Sequence, residues 1–107
     1  LKGDDLICGG LGADQLVGLG GEDRIDGGDG NDGVFGVEGN DELLGGEGDD
    51  VMTGGQADPG TDVIDGGPGD DRLNGGYGAD VIRCGPGVDT VLVTRGDRIA
   101  ADCERRR

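Results

Sequence analysis

Residues 9–17 read Gly-Gly-Leu-Gly-Ala-Asp-Gln-Leu-Val, and this nine-residue unit recurs along a chain of 107 residues. When its positions are numbered one to nine, the sixth is Asp and the eighth is apolar in all eleven copies. The sixth-position residues are Asp5, Asp14, Asp23, Asp32, Asp41, Asp50, Asp62, Asp71, Asp80, Asp89 and Asp97. The eighth-position residues are Ile7, Leu16, Ile25, Val34, Leu43, Met52, Ile64, Leu73, Ile82, Val91 and Ile99. A period held in register over so many copies indicates a repeat architecture.

The repeat has two irregularities. Three residues are inserted between Asp50 and Asp62, within residues 56–59, and the last unit lacks the paired glycines. The first predicts a loop in mid-array, and the second a terminal cap of the kind that repeat proteins need. We therefore expect one repeat domain over residues 1–107. Its regular repeats occupy residues 1–92, and a degraded repeat and cap occupy residues 93–107.

Composition narrows the possible functions. The chain has 28 Gly, only two aromatic residues and a formal net charge of −15. Such a composition alone favours disorder, because little apolar surface is available to offset a backbone entropy cost of roughly 1–2 kcal/mol per residue. The charge argues against nucleic acid and anionic membranes as partners and favours cations. No His is present, which removes Ser-His-Asp catalysis, and no apolar run approaches the roughly 20 residues of a membrane span.

The spacing within the unit predicts its local structure. Glycines at positions one, two and four permit positive φ, so the first six residues can form a tight turn. The last three form a very short strand whose eighth residue points inward, as Ile25 does between Arg24 and Asp26. A strand of three residues is not stable alone, so we expect it to stack on the strand two repeats away. The result is an 18-residue coil, about five and a half coils and two parallel sheets.

This stacking creates an electrostatic problem. Asp14 lies over Asp32, and Asp32 over Asp50, about one strand spacing apart, where like charges repel. A hard divalent cation removes the repulsion. Asp carboxylates and turn carbonyls together form an all-oxygen cage, which suits Ca²⁺ better than Mg²⁺.

The pattern GGxGxDxUx, with U a large aliphatic residue, resembles the RTX or haemolysin-type calcium-binding nonapeptide over residues 1 to about 100. The resemblance implies an all-β, right-handed parallel β-roll (β-helix). It also implies that each Ca²⁺ lies between the turns of repeats i and i+2, where the eleven sixth-position Asp residues and turn carbonyls are the ligands. We expect about six to eight ions. Fifth-position acids such as Asp4, Asp49 and Asp70 are interpreted as solvated turn residues that face away from the ion.

The three cysteines do not have the spacing of a metal site. Cys84 and Cys103 are nineteen residues apart, close to one coil, and stacked coils would bring them within disulfide distance. The terminal Asp-Cys-Glu also resembles the end of secreted calcium-repeat proteins. We predict a Cys84–Cys103 disulfide, with free thiols as the alternative. Cys8 is too far away to join them and is either free or paired with an upstream Cys.

These observations favour a secreted, extracellular calcium-binding module with a structural or stabilising role, whose folding is driven by Ca²⁺. The alternative is an accessory repeat region of a larger secreted enzyme or adhesin, with any catalysis upstream. The chain begins at Leu1 without a signal-like segment, so we expect it to be a fragment with a possible upstream domain. We expect no catalysis here, because every spare carboxylate is repeated. A protein or polysaccharide partner stays an open alternative.

Overall fold

A computed structural model of the chain describes residues 6–55, 60–76, 78–92, 97–99, 103 and 105–106. Among these residues it contains twelve strands and no helix. The strands are β1 (Leu6–Cys8), β2 (Gln15–Val17), β3 (Arg24–Asp26), β4 (Gly33–Phe35), β5 (Glu42–Leu44), β6 (Val51–Gly55), β7 (Val63–Asp65), β8 (Arg72–Gly76), β9 (Val81–Arg83), β10 (Thr90–Leu92), β11 (Arg98–Ile99) and β12 (Arg105–Arg106). Four features of the sequence analysis lie outside the described residues: the inserted segment 56–59, the start of the last unit at 93–96, and Asp4 and Asp5.

The strands form two parallel sheets. The odd-numbered strands make the first sheet in the order β1-β3-β5-β7-β9-β11, and the even-numbered strands make the second in the order β2-β4-β6-β8-β10-β12. Ile7 pairs with Ile25 and Leu16 with Val34, so each strand contacts the strand two repeats away. The predicted all-β parallel β-roll is therefore confirmed, with about five turns.

The mid-array insertion leaves the strand register intact. Leu43 pairs with Ile64 and Met52 with Leu73, both 21 residues apart, whereas the coils before them pair at a separation of 18. The pairing of eighth-position residues is therefore the same on both sides of the insertion.

The core is a double row of eighth-position side chains between the two sheets. In the middle of the roll these side chains are fully buried, from Ile25 to Val91. Ile7, Leu16 and Ile99, at the two ends, pack against the core but are only partly buried. An end coil has a neighbour on one side only, so its aliphatic residue loses part of its burial.

The carboxy-terminal end is closed by two features. Cys84 and Cys103 form a disulfide with a Cα–Cα separation of 5.0 Å, and both residues are buried, which confirms the predicted bridge. Strand β12 pairs with β10 at Thr90 and Arg105, so it covers an edge that would otherwise be open. Cys8 is exposed and takes no part in this disulfide.

Second-position glycines set how closely the coils stack. Gly10 and Gly46 have nearly equal φ values of 83° and 82°, in the left-handed region. A Cβ on Gly46 would overlap the carbonyl oxygen of Gly28 in the preceding coil, whereas a Cβ on Gly10 would meet no described atom within 4 Å. The two glycines therefore have the same left-handed backbone conformation, but only Gly10 has room for a side chain.

Substituting these two glycines separates the two effects. We expect Gly10→Ala to lower the free energy of unfolding by about 1–2 kcal/mol, the cost of a non-glycine residue in the left-handed region. Gly46→Ala should cost more, because the coils must also move apart. Chemical denaturation at fixed calcium concentration measures both, and equal losses would contradict the steric explanation.

Candidate metal centre

The sixth-position carboxylates line the interior of the roll at its corners. Each lies two residues before a core aliphatic residue and therefore points to the same side of the chain. The side chains from Asp23 to Asp89 are buried, with 0–3% exposure, and Asp14 and Asp97 are half-buried. Asp5 lies outside the described residues.

One oxygen of each carboxylate links neighbouring coils. Asp32 Oδ1 accepts the backbone N–H of Asp14 at 2.8 Å, and Asp50 Oδ1 accepts that of Asp32 at 2.8 Å. The same bond joins Asp23 to Asp41, Asp41 to Asp62, Asp50 to Asp71, Asp62 to Asp80, Asp71 to Asp89, and Asp80 to Asp97. Ten of the eleven Asp residues chosen from the sequence thus form two rows, which we call the Asp rows.

The second carboxylate oxygen has a different environment. Within the described part of the chain, Oδ2 is buried and accepts no hydrogen bond in several members of the rows: Asp14, Asp32, Asp50, Asp71 and Asp80. An anionic oxygen removed from water without a partner is costly. These atoms are the clearest sign that the rows are suited to hold a cation.

Backbone carbonyls lie beside these oxygens. A Cβ placed on Gly45 would lie 2.6 Å from Asp50 Oδ2 and 2.7 Å from the carbonyl oxygen of Gly66. One placed on Gly27 would lie 2.7 Å from both Asp32 Oδ2 and the carbonyl oxygen of Gly45. In both cases the carboxylate oxygen and the first-position carbonyl oxygen of the next coil line one narrow cleft. A side chain on the first-position glycine would fill this cleft. An all-oxygen donor set of this kind fits Ca²⁺.

Side chains alone do not complete such a site. Among the described residues, no three His, Cys, Asp or Glu side chains converge on one point. A cation held between two coils would therefore need backbone carbonyls among its ligands as well.

Three carboxyl groups of the rows, those of Asp50, Asp71 and Asp80, bind protons more tightly than usual. Burial raises the pKa of Asp71 to about 8, and the neighbouring charges of Asp50 and Asp89 add to the shift. Burial likewise raises the pKa of Asp50 to about 6 and that of Asp80 to about 6. Backbone N–H donors oppose these shifts but do not cancel them. Without a cation, the folded state therefore keeps the carboxyl of Asp71 mostly protonated at neutral pH, whereas those of Asp50 and Asp80 lose their protons above about pH 6.

Acid should therefore stabilise the cation-free fold. Because these pKa values lie above the ordinary 3.8, the folded state binds more protons than the unfolded state between about pH 4 and pH 8. Its free energy of unfolding is thus highest below that window and falls as pH rises through it. We expect far-UV circular dichroism in calcium-free buffer to show more β structure near pH 5 than near pH 9. Light scattering controls for aggregation, and more β structure at the higher pH would contradict the assignment.

The fifth-position side chains do more than the sequence analysis inferred. They are exposed, as expected for solvated turn residues, but Asn31 Oδ1 accepts the N–H of Asp49, and Asp49 Oδ1 accepts that of Asp70, both at 2.8 Å. Asp70 Oδ1 accepts the N–H of Val88 in the same way. The recurrence of Asn and Asp at the fifth position could have predicted these hydrogen bonds from the sequence, because both side chains bond readily to the backbone of turns.

Comparison with known proteins agrees with this geometry. The family model of the RTX calcium-binding nonapeptide repeat matches four times, at residues 2–34, 9–43, 34–58 and 56–91. The chain belongs to this family of calcium-binding repeats. No curated protein and no solved structure matches it. Where the structure describes the chain, it has no helix long and apolar enough to cross a membrane. The β-roll is a structural calcium-binding module.

Proposed function

We propose that the chain is a secreted, extracellular β-roll domain whose folding is driven by Ca²⁺. The observation that supports this most directly is the set of buried Oδ2 atoms that lack hydrogen-bond donors and share clefts with glycine carbonyls. A cation in each cleft would supply the missing partner. Because that site does not exist in the unfolded chain, its binding free energy becomes folding free energy.

The proposed ligands are the eleven sixth-position Asp side chains together with turn carbonyls such as those of Gly45 and Gly66. Asp97 ends its row in a degraded unit, and Asp5 begins the other end of the array, so both ends should bind more weakly than the middle. About six to eight ions would offset most of the formal net charge of −15.

Two properties support an extracellular setting. Modules outside the cell typically bind Ca²⁺ with dissociation constants of about 10⁻⁴–10⁻³ M, so the chain would stay unfolded where free calcium is low and fold after export. The Cys84–Cys103 disulfide is typical of oxidising compartments.

We propose a stabilising role and no catalysis for this domain. The carboxyls with raised pKa are Asp50, Asp71 and Asp80, and all three belong to the repeated Asp rows. A catalytic pair needs two groups in contrasting environments, whereas these share one environment.

Calcium titration tests the proposal. Without Ca²⁺ at neutral pH, the far-UV circular dichroism spectrum should be that of a disordered chain, and Ca²⁺ should convert it cooperatively to β structure. Equal concentrations of Mg²⁺ should do much less, because Mg²⁺ requires a strict octahedron and retains its waters. A folded spectrum at neutral pH in excess chelator would overturn the proposal.

A matched pair of substitutions tests the ligand assignment. Asp50→Asn removes a buried charge from an Asp row, whereas Asp49→Asn removes an exposed charge and keeps the oxygen that accepts the Asp70 N–H. We expect the first to raise the calcium concentration at half-folding about tenfold and the second to change it less than about twofold. Asp50→Asn should also stabilise the calcium-free fold, since it removes a desolvated charge. Equal effects of the two substitutions would contradict the assignment.

A further inference from the structure

The two ends of the roll differ in the charge of their edge strands. At the carboxy-terminal end the edge strands are β11, which contains the exposed Arg98, and β12, which consists of Arg105 and Arg106. At the amino-terminal end they are β1 (Leu-Ile-Cys) and β2 (Gln-Leu-Val), which carry no charge. Charged side chains on an edge strand oppose its pairing with a further strand, so only the amino-terminal edges are suited to such pairing.

The low charge extends over the whole first coil. Residues 6–21 contain a single charged residue, Asp14, in a chain in which 31% of the residues are charged. Leu6 and Leu11 lie in this coil and are 72% and 81% exposed, more than any other large apolar side chain that the structure describes. The amino-terminal end is therefore a nearly uncharged, partly apolar surface on an acidic body.

The backbone of this end has the geometry to pair with another strand. Inside the roll, the N–H of a seventh-position residue donates to the sixth-position carbonyl of the preceding coil, as that of Gly33 does to Asp14 at 2.8 Å. Leu6 and Gln15 hold the seventh positions of β1 and β2, and no described strand packs against these strands on that side. Their N–H groups therefore face the open end of the roll.

The turn of the first coil also has space beside it. A Cβ on Gly12 would meet no described atom within 4 Å, whereas a Cβ on Gly30, its counterpart one coil later, would overlap the carbonyl oxygen of Gly12. The volume that a neighbouring coil fills elsewhere in the roll is therefore accessible at this end.

Charge favours a second copy of the chain as the occupant. A partner recognised by charge needs opposite charges to meet, and the first coil offers only the half-buried Asp14. Two acidic copies repel least when they meet at their uncharged ends, which keeps the rest of their charge apart. A coil of 18 residues is close to the roughly 20–30 residues per side of a standard interface.

The other end of the roll limits the size of the assembly. The Cys84–Cys103 disulfide and the Arg-bearing strands β11 and β12 make it unlike the amino-terminal end. Each copy therefore has one surface suited to this pairing, and a contact between two identical surfaces is closed by a two-fold axis. Association should stop at the dimer.

We propose that two copies of the chain pair through their amino-terminal ends, so that β1 and β2 each run antiparallel beside an edge strand of the other copy. Backbone hydrogen bonds across the two-fold axis would use the N–H groups of Leu6 and Gln15, and each sheet would continue into a sheet of the second copy. This interaction is separate from calcium binding but needs the folded roll, so every measurement is made at saturating Ca²⁺.

Sedimentation velocity over a range of protein concentrations measures the dimer. All proteins carry Cys8→Ser, so that a disulfide between exposed Cys8 side chains does not produce it. The test variant is Leu6→Arg with Gln15→Arg, which gives β1 and β2 the charge that β11 and β12 already have. The control is Val51→Arg with Val63→Arg, which makes exposed seventh-position residues charged on the inner strands β6 and β7.

We expect the parent to dimerise, the test variant to dimerise about tenfold more weakly or less, and the control to change by less than about twofold. Added NaCl should leave the dimer unchanged or strengthen it, because salt screens the repulsion between two acidic bodies. In the parent, amide hydrogen exchange at Leu6 and Gln15 should slow as the protein concentration rises.

Several results would overturn the proposal. A parent protein that stays monomeric up to about 1 mM has no such interface. Equal effects of the test and control variants, or unchanged exchange at Leu6 and Gln15 in a dimer, would place the contact elsewhere. Assemblies that grow beyond the dimer would show that both ends pair, and a dimer that NaCl dissociates would show an interface of ion pairs. Circular dichroism of each variant in Ca²⁺ separates these outcomes from a failure of calcium-driven folding.

Discussion

The buried carboxylate of the sixth position is the constraint on which the rest of the roll depends. One of its oxygens accepts a backbone N–H of the preceding coil, as Asp50 does from Asp32, and so joins the coils. In Asp14, Asp32, Asp50, Asp71 and Asp80 the other oxygen is buried without a donor, which raises the cost of the fold. The same side chain therefore holds the coils together and destabilises them when no cation is present. A fold built this way can be controlled by one ligand.

The glycines belong to the same arrangement. A glycine at the first position keeps open the cleft between the Asp carboxylate oxygen and the first-position carbonyl oxygen of the next coil. A glycine at the second position lets neighbouring coils approach at the spacing that the parallel strands need. The core contributes only a double row of aliphatic side chains. A larger apolar core stabilises ordinary domains. Here the stability must come from the stacking of the coils, the hydrogen bonds between turns and the oxygen-lined clefts.

Where the chain departs from its own repeat, the departures are localised. Cys84 replaces a first-position glycine and forms the disulfide that closes the last coil. Leu19 and Val37 replace second-position glycines and place apolar side chains on the surface of a strongly acidic chain. The strands on either side of the mid-array insertion keep the same register. These exceptions distinguish this chain from a regular array, because the regular units are interchangeable.

The sequence by itself determined the period, the inward-facing aliphatic residues and the two Asp rows, since each follows from a spacing of nine or eighteen residues. The nineteen-residue separation of Cys84 and Cys103, close to one coil, predicted their disulfide. Only the tertiary structure decided which carboxylate oxygen bonds to backbone and which is left in a cleft. It also decided that Asn31, Asp49 and Asp70 link the turns of neighbouring coils. The physical reason is that these contacts join residues about eighteen positions apart. Their geometry is fixed by how closely and at what angle the coils stack, and a local pattern does not encode that.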